Sequence, residues 1–393
     1  MFNYIGSKSK LVNFIDTIVE DIDTKKDEII LCDLFAGTGA VGSYFRQKGN
    51  YKIIANDMLY CSYVINKHLI EGTEPDIDIT LFNHFNNLSG TEGFIYNNFC
   101  EPSGRLYFSS ENGKKIDAVR IELENLYDKG TINLQTYYYY LSCLLQSVAL
   151  VSNTAGVYTA YLKKLKKSAQ KDFILHPIPI IDGIRGTVYN KNSGLLIDEL
   201  EGDILYLDPP YNSRQYGNYY HVLETIAKYD SPILKGVTGV RDYERSDFCL
   251  KSRVASALDY ILKKAKFKHI LLSYNNEGLL SFDDIESMMS KYGSYERHTT
   301  EYIKYKSQDL VTENNTVTES IHYLVKDFNK KNEGLIGTDK LKKRYKVGLE
   351  NTISNIDAIG EDMVREIKST PTFNTDKVKG SIKIDDLKGI LVV

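Results

Sequence analysis

The sequence predicts an α/β fold built on a Rossmann-like, doubly wound mixed sheet, with a mainly helical insertion and a small C-terminal extension. Two units of strand, turn and helix follow one another within the first 70 residues. The alternation returns near residue 203, whereas the stretch between about 73 and 184 is irregular. Successive strand and helix units favour a parallel sheet with helices on both faces.

The first half of the predicted sheet comes from two short apolar runs. Residues 8–22 carry apolar side chains at helical spacing and predict a helix before the first strand. The run 29–34 predicts a buried strand that passes through glycines into a helix over 40–48. The plan repeats with a strand over 51–55, an acidic loop and a helix that ends near Leu69.

The second half of the sheet follows the insertion. In chain order its predicted elements are a strand over 203–208, a helix over 219–228, one long amphipathic helix over 246–267, a strand over 269–275, a helix capped by Ser281, and antiparallel edge strands in the segments 301–306 and 320–326. A helix is also expected near 355–368 in the Lys-rich tail.

Composition places the chain among soluble globular proteins. Of its 393 residues, 42% are hydrophobic and 26% are charged, and no apolar run approaches the roughly 18 residues of a membrane span. The five cysteines lie far apart without the spacing of a zinc site or a disulfide framework, so we expect reduced thiols and no metal. We expect a cytoplasmic monomer that has no membrane partner. A net charge of −3 argues against a wholly basic nucleic-acid binder and still allows a local basic face.

The first motif, DLFAGTG, runs from Asp33 to Gly39. A strand that ends in an acidic residue and continues through Gly37 and Gly39 into a helix lets the backbone approach a ligand and directs free N–H groups towards it. The spacing lacks the third glycine of GxGxxG and therefore disfavours a dinucleotide. A glycine turn without any ligand is the alternative.

Two further motifs follow predicted strands. Asn56 and Asp57 come about 20 residues after the glycine turn, where an acidic group can accept hydrogen bonds from ribose hydroxyls. Asp57 could also cap the helix that follows it. The tetrapeptide DPPY, residues 208–211, ends the strand DILYLD, at the edge where open α/β sheets place their sites. Its carboxylate and a proline-fixed carbonyl form an acceptor pair for an amino group, and Tyr211 offers a ring on which a planar base can stack.

These segments carry a resemblance to a known family. NYIGSK (3–8), DLFAGTG, Asn56-Asp57 and DPPY occur in the order that is typical of the α-class, or Dam-type, S-adenosylmethionine-dependent DNA adenine-N6 methyltransferases. The resemblance implies the methyltransferase fold, with catalytic segments 1–75 and 185–328 and an inserted target-recognition, DNA-binding region over 76–184. No role is assigned to the extension 329–393.

The resemblance also implies roles for individual residues. Gly37 and Gly39 would cradle the methionine part of S-adenosylmethionine, Asp57 would hold its ribose, and Tyr4 with Lys8 would complete the cofactor or adenine pocket. The full implied cofactor set is Tyr4, Gly6, Lys8, Asp33, Phe35, Ala36, Gly37, Thr38, Gly39, Asn56, Asp57, Asn192 and Asp208. Asn192 stands where family members often carry an acidic residue.

The expected activity is methyl transfer to N6 of an adenine that has been flipped out of double-stranded DNA. Asp208, the carbonyl of Pro209, Pro210 and Tyr211 would form the catalytic clamp. DNA contacts are predicted at Lys163, Lys164, Lys166, Lys167, Arg214 and Tyr216, although a solvated helix face explains the lysines equally well. The chain would be a restriction–modification methylase or an orphan or phage methylase, of bacterial or phage origin. Any cognate endonuclease would be encoded elsewhere.

Two alternatives remain open on the sequence. One keeps the fold and changes the acceptor to cytosine N4, ribosomal RNA adenine N6 or a protein glutamine. The other is a DNA-binding regulator without catalytic activity. An Asp at the start of DPPY favours adenine by resemblance, and the intact glycine loop argues against lost catalysis.

Overall fold

A seven-stranded mixed sheet forms the centre of the computed structural model, which describes residues 8–22, 24–303 and 316–330. All of these belong to the first of the two units into which the chain divides, Met1–Leu341. The strands are β1 Ile29–Asp33, β2 Tyr51–Asn56, β3 Thr187–Tyr189, β4 Glu201–Leu207, β5 Lys266–Asn275, β6 Gly293–Ile303 and β7 Thr316–Lys326. Their order is β3-β2-β1-β4-β5-β7-β6, with β1 to β5 parallel and both β7 pairings antiparallel. The predicted doubly wound mixed sheet is confirmed.

Helices connect and cover the strands. The α-helices of the described residues are α1 Val12–Glu20, α2 Ala40–Gln47, α3 Tyr60–Asn66, α4 Phe82–Asn87, α5 Phe94–Phe99, α6 Ser110–Asp128, α7 Leu134–Val151, α8 Ser193–Leu196, α9 Tyr216–Tyr219, α10 His221–Lys228, α11 Val254–Lys264 and α12 Phe282–Met289. A π-helical turn, Lys67–Glu71, extends α3. The strands and helices predicted before residue 70 all occur, within four residues of their expected ends.

Helices α4 to α7 lie within the segment predicted as an insertion. Helix α7 is apolar or aromatic on nearly every side, and its four consecutive tyrosines, residues 137–140, are all buried. These rings pack in one hydrophobic cluster with Val64 of α3 and Leu223 of α10. The tyrosine run therefore serves the core and leaves base stacking to other rings.

One predicted helix is wrong. The segment 246–267 does not form a single helix, because the Ser246 hydroxyl accepts a hydrogen bond from the Phe248 amide and caps a separate short turn, Asp247–Cys249. Phe248 packs edge-on against Phe35, with ring centroids 5.0 Å apart. The spacing of apolar residues, from which the helix was predicted, cannot reveal such a tertiary contact. The helix begins only at Val254 and ends at Lys264.

The edge-strand prediction is half right. Strand β7 pairs with β5 on one side and β6 on the other, so only β6 of this pair lies at the edge of the sheet. Strand β6 also begins earlier than predicted, at Gly293. Residues 304–306 of the predicted strand and the predicted helix near 355–368 lie outside the described residues. No helix in the described ranges is long and apolar enough to cross a membrane.

The cap of α12 is confirmed and yields a stability test. Ser281 accepts from the Asp284 amide, and the Asp284 carboxylate accepts from the Ser281 amide, which completes a capping box. We expect Ser281→Ala to lower the free energy of unfolding by about 1 kcal/mol, because the start of the helix loses its capping hydroxyl. Urea denaturation measures this, with Ser287→Ala as the control because Ser287 is exposed on the same helix. An equal loss in both variants would contradict the role of the cap.

Candidate active site

The carboxyl ends of β1, β2 and β4 bring the three sequence motifs to one edge of the sheet. Asp33 ends β1, Asn56 ends β2, and Asp208 follows β4 directly. Asp33 pairs in register with Ala55 of β2 and Tyr206 of β4. DLFAGTG, Asn56-Asp57 and DPPY are therefore neighbours, as expected for a site at the carboxyl ends of parallel strands.

The glycine turn is held by groups that follow β2. The Gly37 amide donates to Asp57 Oδ2 at 2.8 Å, and the Ala36 amide donates to the Asn56 carbonyl at 2.9 Å. From α3, the Asn66 side-chain amide donates to the Gly37 carbonyl at 3.0 Å. The loop is thus braced before any ligand binds, which is the preorganisation that a close backbone contact requires.

Gly39 occupies a position that only glycine fits. Its φ is 73°, in the left-handed region, and it immediately precedes α2. A Cβ at this residue would lie 2.7 Å from Asn66 Oδ1 and 3.0 Å from a methyl carbon of Leu69. Gly37 also has a positive φ, 52°. The remaining predicted loop residues, Phe35 and Thr38, are half-buried.

Asp57 uses its carboxylate to order the backbone. Its Oδ1 accepts from the Leu59 amide and its Oδ2 from the Gly37 amide, both at 2.8 Å. Burial raises the pKa of Asp57 to about 6, even though the two amide donors favour the charged form, and Glu224 raises it further. Asp57 is not the cap of the following helix, because α3 begins at Tyr60 and its N-cap residue is Leu59. The Asp57 carboxylate instead orders the turn before the helix, and each oxygen keeps a second lone pair that could accept from a ribose hydroxyl.

Asp33 is the most deeply buried of the three carboxyl groups. It is 1% exposed, and among the described residues its Oδ1 has no hydrogen-bond partner. Burial and the neighbouring Asp208 and Asp57 raise its pKa to about 8. An unpartnered buried carboxyl group is costly, and a positively charged ligand would compensate it.

Asp208 is held by an ion pair. The Lys8 ammonium lies 2.9 Å from Asp208 Oδ1 and 3.2 Å from Oε1 of Glu319, and 5.9 Å from the centre of the Tyr211 ring. Burial raises the pKa of Asp208 to about 6, while Lys8 opposes this shift and Glu319 adds to it. Burial disfavours the charged form of Lys8, but the two carboxylates outweigh burial and raise its pKa well above the usual value.

The turn after DPPY is tied to the end of β5. The Tyr211 carbonyl accepts from the Leu279 amide at 2.8 Å, and the Tyr211 ring meets the Tyr274 ring edge-on, with centroids 6.4 Å apart. Pro209 is buried, whereas Tyr211 is half-buried and so retains ring surface for a ligand. The segment therefore continues from the buried strand β4 into a turn that is only partly buried.

A cavity of about 520 Å³ lies beside the NSRQY segment. Its lining comes from the stretch 153–163 and from the loops after DPPY, namely Val157, Thr159, Ser213, Arg214, Gln215, Asn218, Tyr219 and Tyr243. The Gln215 side-chain amide bonds both the Ser246 amide and the Ser246 carbonyl, at 2.8 and 3.2 Å, and anchors the segment. Tyr216 packs in a tilted pair with Tyr220.

Asn192, Tyr4 and Gly6 complete the predicted cofactor set. Asn192 caps α8, since its Oδ1 accepts from the Gly194 amide, and its Nδ2 donates to Glu244. Its neighbour Asn190 contacts the site more directly, by donating to the Asp57 carbonyl at 2.7 Å. Tyr4 and Gly6 lie outside the described residues. Within the described ranges, no group of three or more His, Cys, Asp and Glu side chains could hold a metal ion.

The predicted basic cluster divides into two kinds of lysine. Lys163, Lys164 and Lys167 are exposed, whereas the Lys166 ammonium donates to the Thr154 carbonyl at 2.7 Å and is half-buried. The stretch contains one short 3₁₀ turn, Lys167–Gln170, so a helix face does not explain the spacing. Lys166 braces the loop from inside, and the other three present their charge to solvent.

Comparison with known proteins agrees with this geometry. The family model for the D12 class N6 adenine-specific DNA methyltransferase matches residues 4–288. The chain is 44% identical over 335 residues to the type II methyltransferase M.NlaIII of Neisseria lactamica, with 83% of this chain and 100% of that protein covered. It is 35% identical over 382 residues to the modification methylase LlaI of Lactococcus lactis subsp. lactis, spanning 91% of this chain and 61% of that protein.

Similarity to solved structures is remote. The rRNA methyltransferase AviRa of Streptomyces viridochromogenes matches with a TM-score of 0.28 and 9% identity, over 81% of this chain and 86% of that chain. The strand order and the register of the sheet, rather than this likeness, establish the fold.

Gly39 provides a test of the glycine turn. We expect Gly39→Ala to weaken S-adenosylmethionine binding by at least about tenfold, because the new Cβ meets Asn66 and displaces the turn. Isothermal titration measures the Kd. Gly49→Ala is the matched control, since Gly49 also has a positive φ, 84°, and a Cβ added there would meet no described atom within 4 Å. If both variants bind the cofactor equally, the turn is not part of the cofactor site.

Proposed function

Because the chain belongs to the D12 class of N6 adenine-specific DNA methyltransferases, we propose that its DPPY turn clamps the amino group of a flipped-out adenine beside a cofactor held by the glycine turn. The observation that carries this proposal is the position of Asp208. Its carboxylate follows β4, is held by Lys8, and adjoins the buried Asp33 at the end of β1.

The glycine turn and its neighbours suit S-adenosylmethionine. Gly37 and Gly39 leave room for close backbone contact, and Asp57 can accept from a ribose hydroxyl. Oδ1 of Asp33, which has no hydrogen-bond partner among the described residues, favours a cationic ligand. S-adenosylmethionine supplies an electrophilic methyl group on a sulfonium and also carries an ammonium. We assign the other residues of the predicted set, among them Phe35, Ala36, Thr38, Asn56 and Asn192, to the walls of this site.

The adenine amino group needs orientation before it can react. Its nitrogen lone pair is delocalised into the ring, so acceptors on both N–H bonds favour the geometry in which the lone pair points out of the ring plane. Asp208 and the Pro209 carbonyl provide these acceptors. As the N–C bond forms, the methyl–sulfur bond of the sulfonium would break with its electron pair left on sulfur, and one N6 proton would pass to solvent. This contribution is electrostatic preorganisation, and no covalent enzyme intermediate is required.

Access to the amino group requires that the base leave the duplex. The cost is unstacking, which a ring in the pocket partly offsets. Tyr211 is half-buried and its carbonyl accepts from the Leu279 amide, so its ring is held at a defined position. The cavity lined by Ser213, Arg214 and Gln215 lies just after this turn in the chain and would receive the strand that leads into the pocket.

We assign DNA binding to exposed basic side chains of the lysine cluster and to Arg214, which lines this cavity. Lys163, Lys164, Lys167 and Arg214 would contact phosphates, and Tyr216 would contribute a ring. We assign target recognition to the inserted region 76–184 and catalysis to 1–75 and 185–328. The restriction–modification names of the relatives support the role of a modification enzyme, acting as a monomer with any endonuclease encoded elsewhere.

Asp208→Ala tests the clamp. We expect kcat to fall by about 100-fold to 1,000-fold, because the amino group loses one acceptor, while the Kd for S-adenosylmethionine changes little. The assay follows tritiated methyl groups into duplex DNA at matched protein concentration. Wild-type activity should itself decline as the pH falls below about 6, where Asp208 becomes protonated.

Controls separate the alternatives. RNA and protein acceptors in the same assay test the ribosomal RNA and glutamine hypotheses, and long-read sequencing of a plasmid carrying the wild-type or Asp208→Ala gene distinguishes N6-methyladenine from N4-methylcytosine. Cofactor binding without transfer to any acceptor would favour the inactive regulator. Wild-type turnover in Asp208→Ala would refute the clamp.

The lysine cluster yields an independent prediction. Replacing Lys163, Lys164 and Lys167 by Ala should reduce the slope of log Kd against log salt by about 0.9 for each lost phosphate contact. The control replaces three exposed lysines at or before the amino ends of the strands, Lys26, Lys263 and Lys266. Equal slopes in the two triple variants would remove the cluster from the DNA interface.

A further inference from the structure

The ammonium of Lys8 lies between two buried carboxylates that come from distant parts of the chain. Asp208 follows β4 and is 16% exposed, whereas Glu319 lies in β7 and is 2% exposed. The Ser273 hydroxyl of β5 donates to Glu319 Oε1 at 2.8 Å. Both Lys8 and Ser273 therefore contact Glu319, which lies beyond the residues 4–288 matched by the family model.

Neutralising the charge of the Lys8 ammonium does not require Glu319 as a second carboxylate. Asp208 already supplies one opposite charge, and burying a further carboxylate is unfavourable unless it is paired and hydrogen-bonded. Glu319 meets that condition through Lys8 and Ser273. The arrangement places two negative groups around one ammonium at the edge of the reaction site, which suggests a role in catalysis beyond packing.

We propose that Glu319 and Ser273 are positioning residues for methyl transfer, which act through Lys8 to hold the Asp208 carboxylate where it accepts a hydrogen bond from the adenine amino group. The inference rests on the proposed role of Asp208. Neither Glu319 nor Ser273 touches the reacting atoms in this scheme.

The strands explain why Glu319 can hold Lys8 in place. Asn275 of β5 is the register partner of Glu319, and Ser273, two residues earlier, lies on the same face and supplies the hydroxyl. A lysine stem has four flexible carbons, so a fixed ammonium needs a second anchor. Glu319, held by two paired strands, is that anchor, and the ammonium in turn restrains Asp208 Oδ1.

The same contacts give the two charged neighbours of Asp208 opposite electrostatic effects. In the part of the chain that the structure describes, Asp33, Tyr206 and Tyr216 also interact electrostatically with Asp208, besides Lys8 and Glu319. Glu319 raises the pKa of Asp208 and Lys8 lowers it. Removing the charge of Glu319 should therefore move the acidic limb of the kcat profile to lower pH, and removing that of Lys8 should move it to higher pH.

Three variants test the proposal. Glu319→Gln keeps the shape and a carbonyl for Ser273 and removes the charge. We expect kcat to fall about tenfold, the acidic limb to shift to lower pH, and KM for DNA and Kd for S-adenosylmethionine to stay within about twofold. Ser273→Ala should lower kcat by a smaller factor without moving the limb, since no charge changes. Glu296→Gln is the control, because it removes an exposed charge from the neighbouring strand β6.

The outcomes of these variants decide between positioning and packing. Wild-type kcat and an unshifted acidic limb in Glu319→Gln would overturn the inference, as would a fall in activity that follows only the folded fraction measured by thermal melting. If Glu319→Gln does not fold, Ser273→Ala decides, and unchanged kcat in that variant overturns it. Asp208→Ala is measured in parallel: full turnover there refutes the clamp itself, whereas its inactivity beside a normal Glu319→Gln refutes only the positioning role.

Discussion

Three aspartates, Asp33, Asp57 and Asp208, stand at or just after the carboxyl ends of neighbouring strands, and burial raises the pKa of each of them. The surrounding structure must compensate these carboxyl groups, since an unpaired buried charge is strongly unfavourable. The protein compensates the three carboxyl groups in different ways. Two backbone amides donate hydrogen bonds to Asp57, the Lys8 ammonium forms an ion pair with Asp208, and Oδ1 of Asp33 has no partner within the described residues. Asp57 and Asp208 order the protein around them. A cationic cofactor would compensate the third carboxyl group, that of Asp33.

The helices behind the site extend this ordering into the core. Glu224 of α10 accepts from the Tyr60 and Cys61 amides, so it caps the start of α3 from another element. Asn66, the last residue of α3, donates from its side-chain amide to the Gly37 carbonyl in the glycine turn. Helices α3, α7 and α10 share one hydrophobic cluster. The buried tyrosines of α7 therefore support α3, the helix that braces the glycine turn, and the segment between β2 and β3 shares one hydrophobic cluster with α3 and α10.

The site was predictable from the sequence to the extent that its residues follow strands. DLFAGTG, Asn56-Asp57 and DPPY each follow an apolar run, and parallel strands necessarily bring their carboxyl ends to one edge. The residues that sequence reasoning missed have no such marker. Asn66 is the last residue of a helix, Glu319 and Ser273 lie inside strands, and Asn190 is a loop residue two positions before the predicted Asn192. Lys166 belongs to a lysine run in which only the folded chain shows that one ammonium faces inward.

The sequence by itself determined the order of strands and helices, the edge at which the site forms and the chemical class of the groups there, because apolar periodicity and glycine spacing are local properties of the chain. Only the tertiary structure decided which groups are partners. Pairing of β4 with β5 and of β5 with β7 brings Asp208, Ser273 and Glu319 together, and Lys8, in a 3₁₀ turn near the start of the chain, contacts both carboxylates. Whether a buried carboxylate is held, left open or linked to a second charge depends on those long-range neighbours, and no local pattern encodes them.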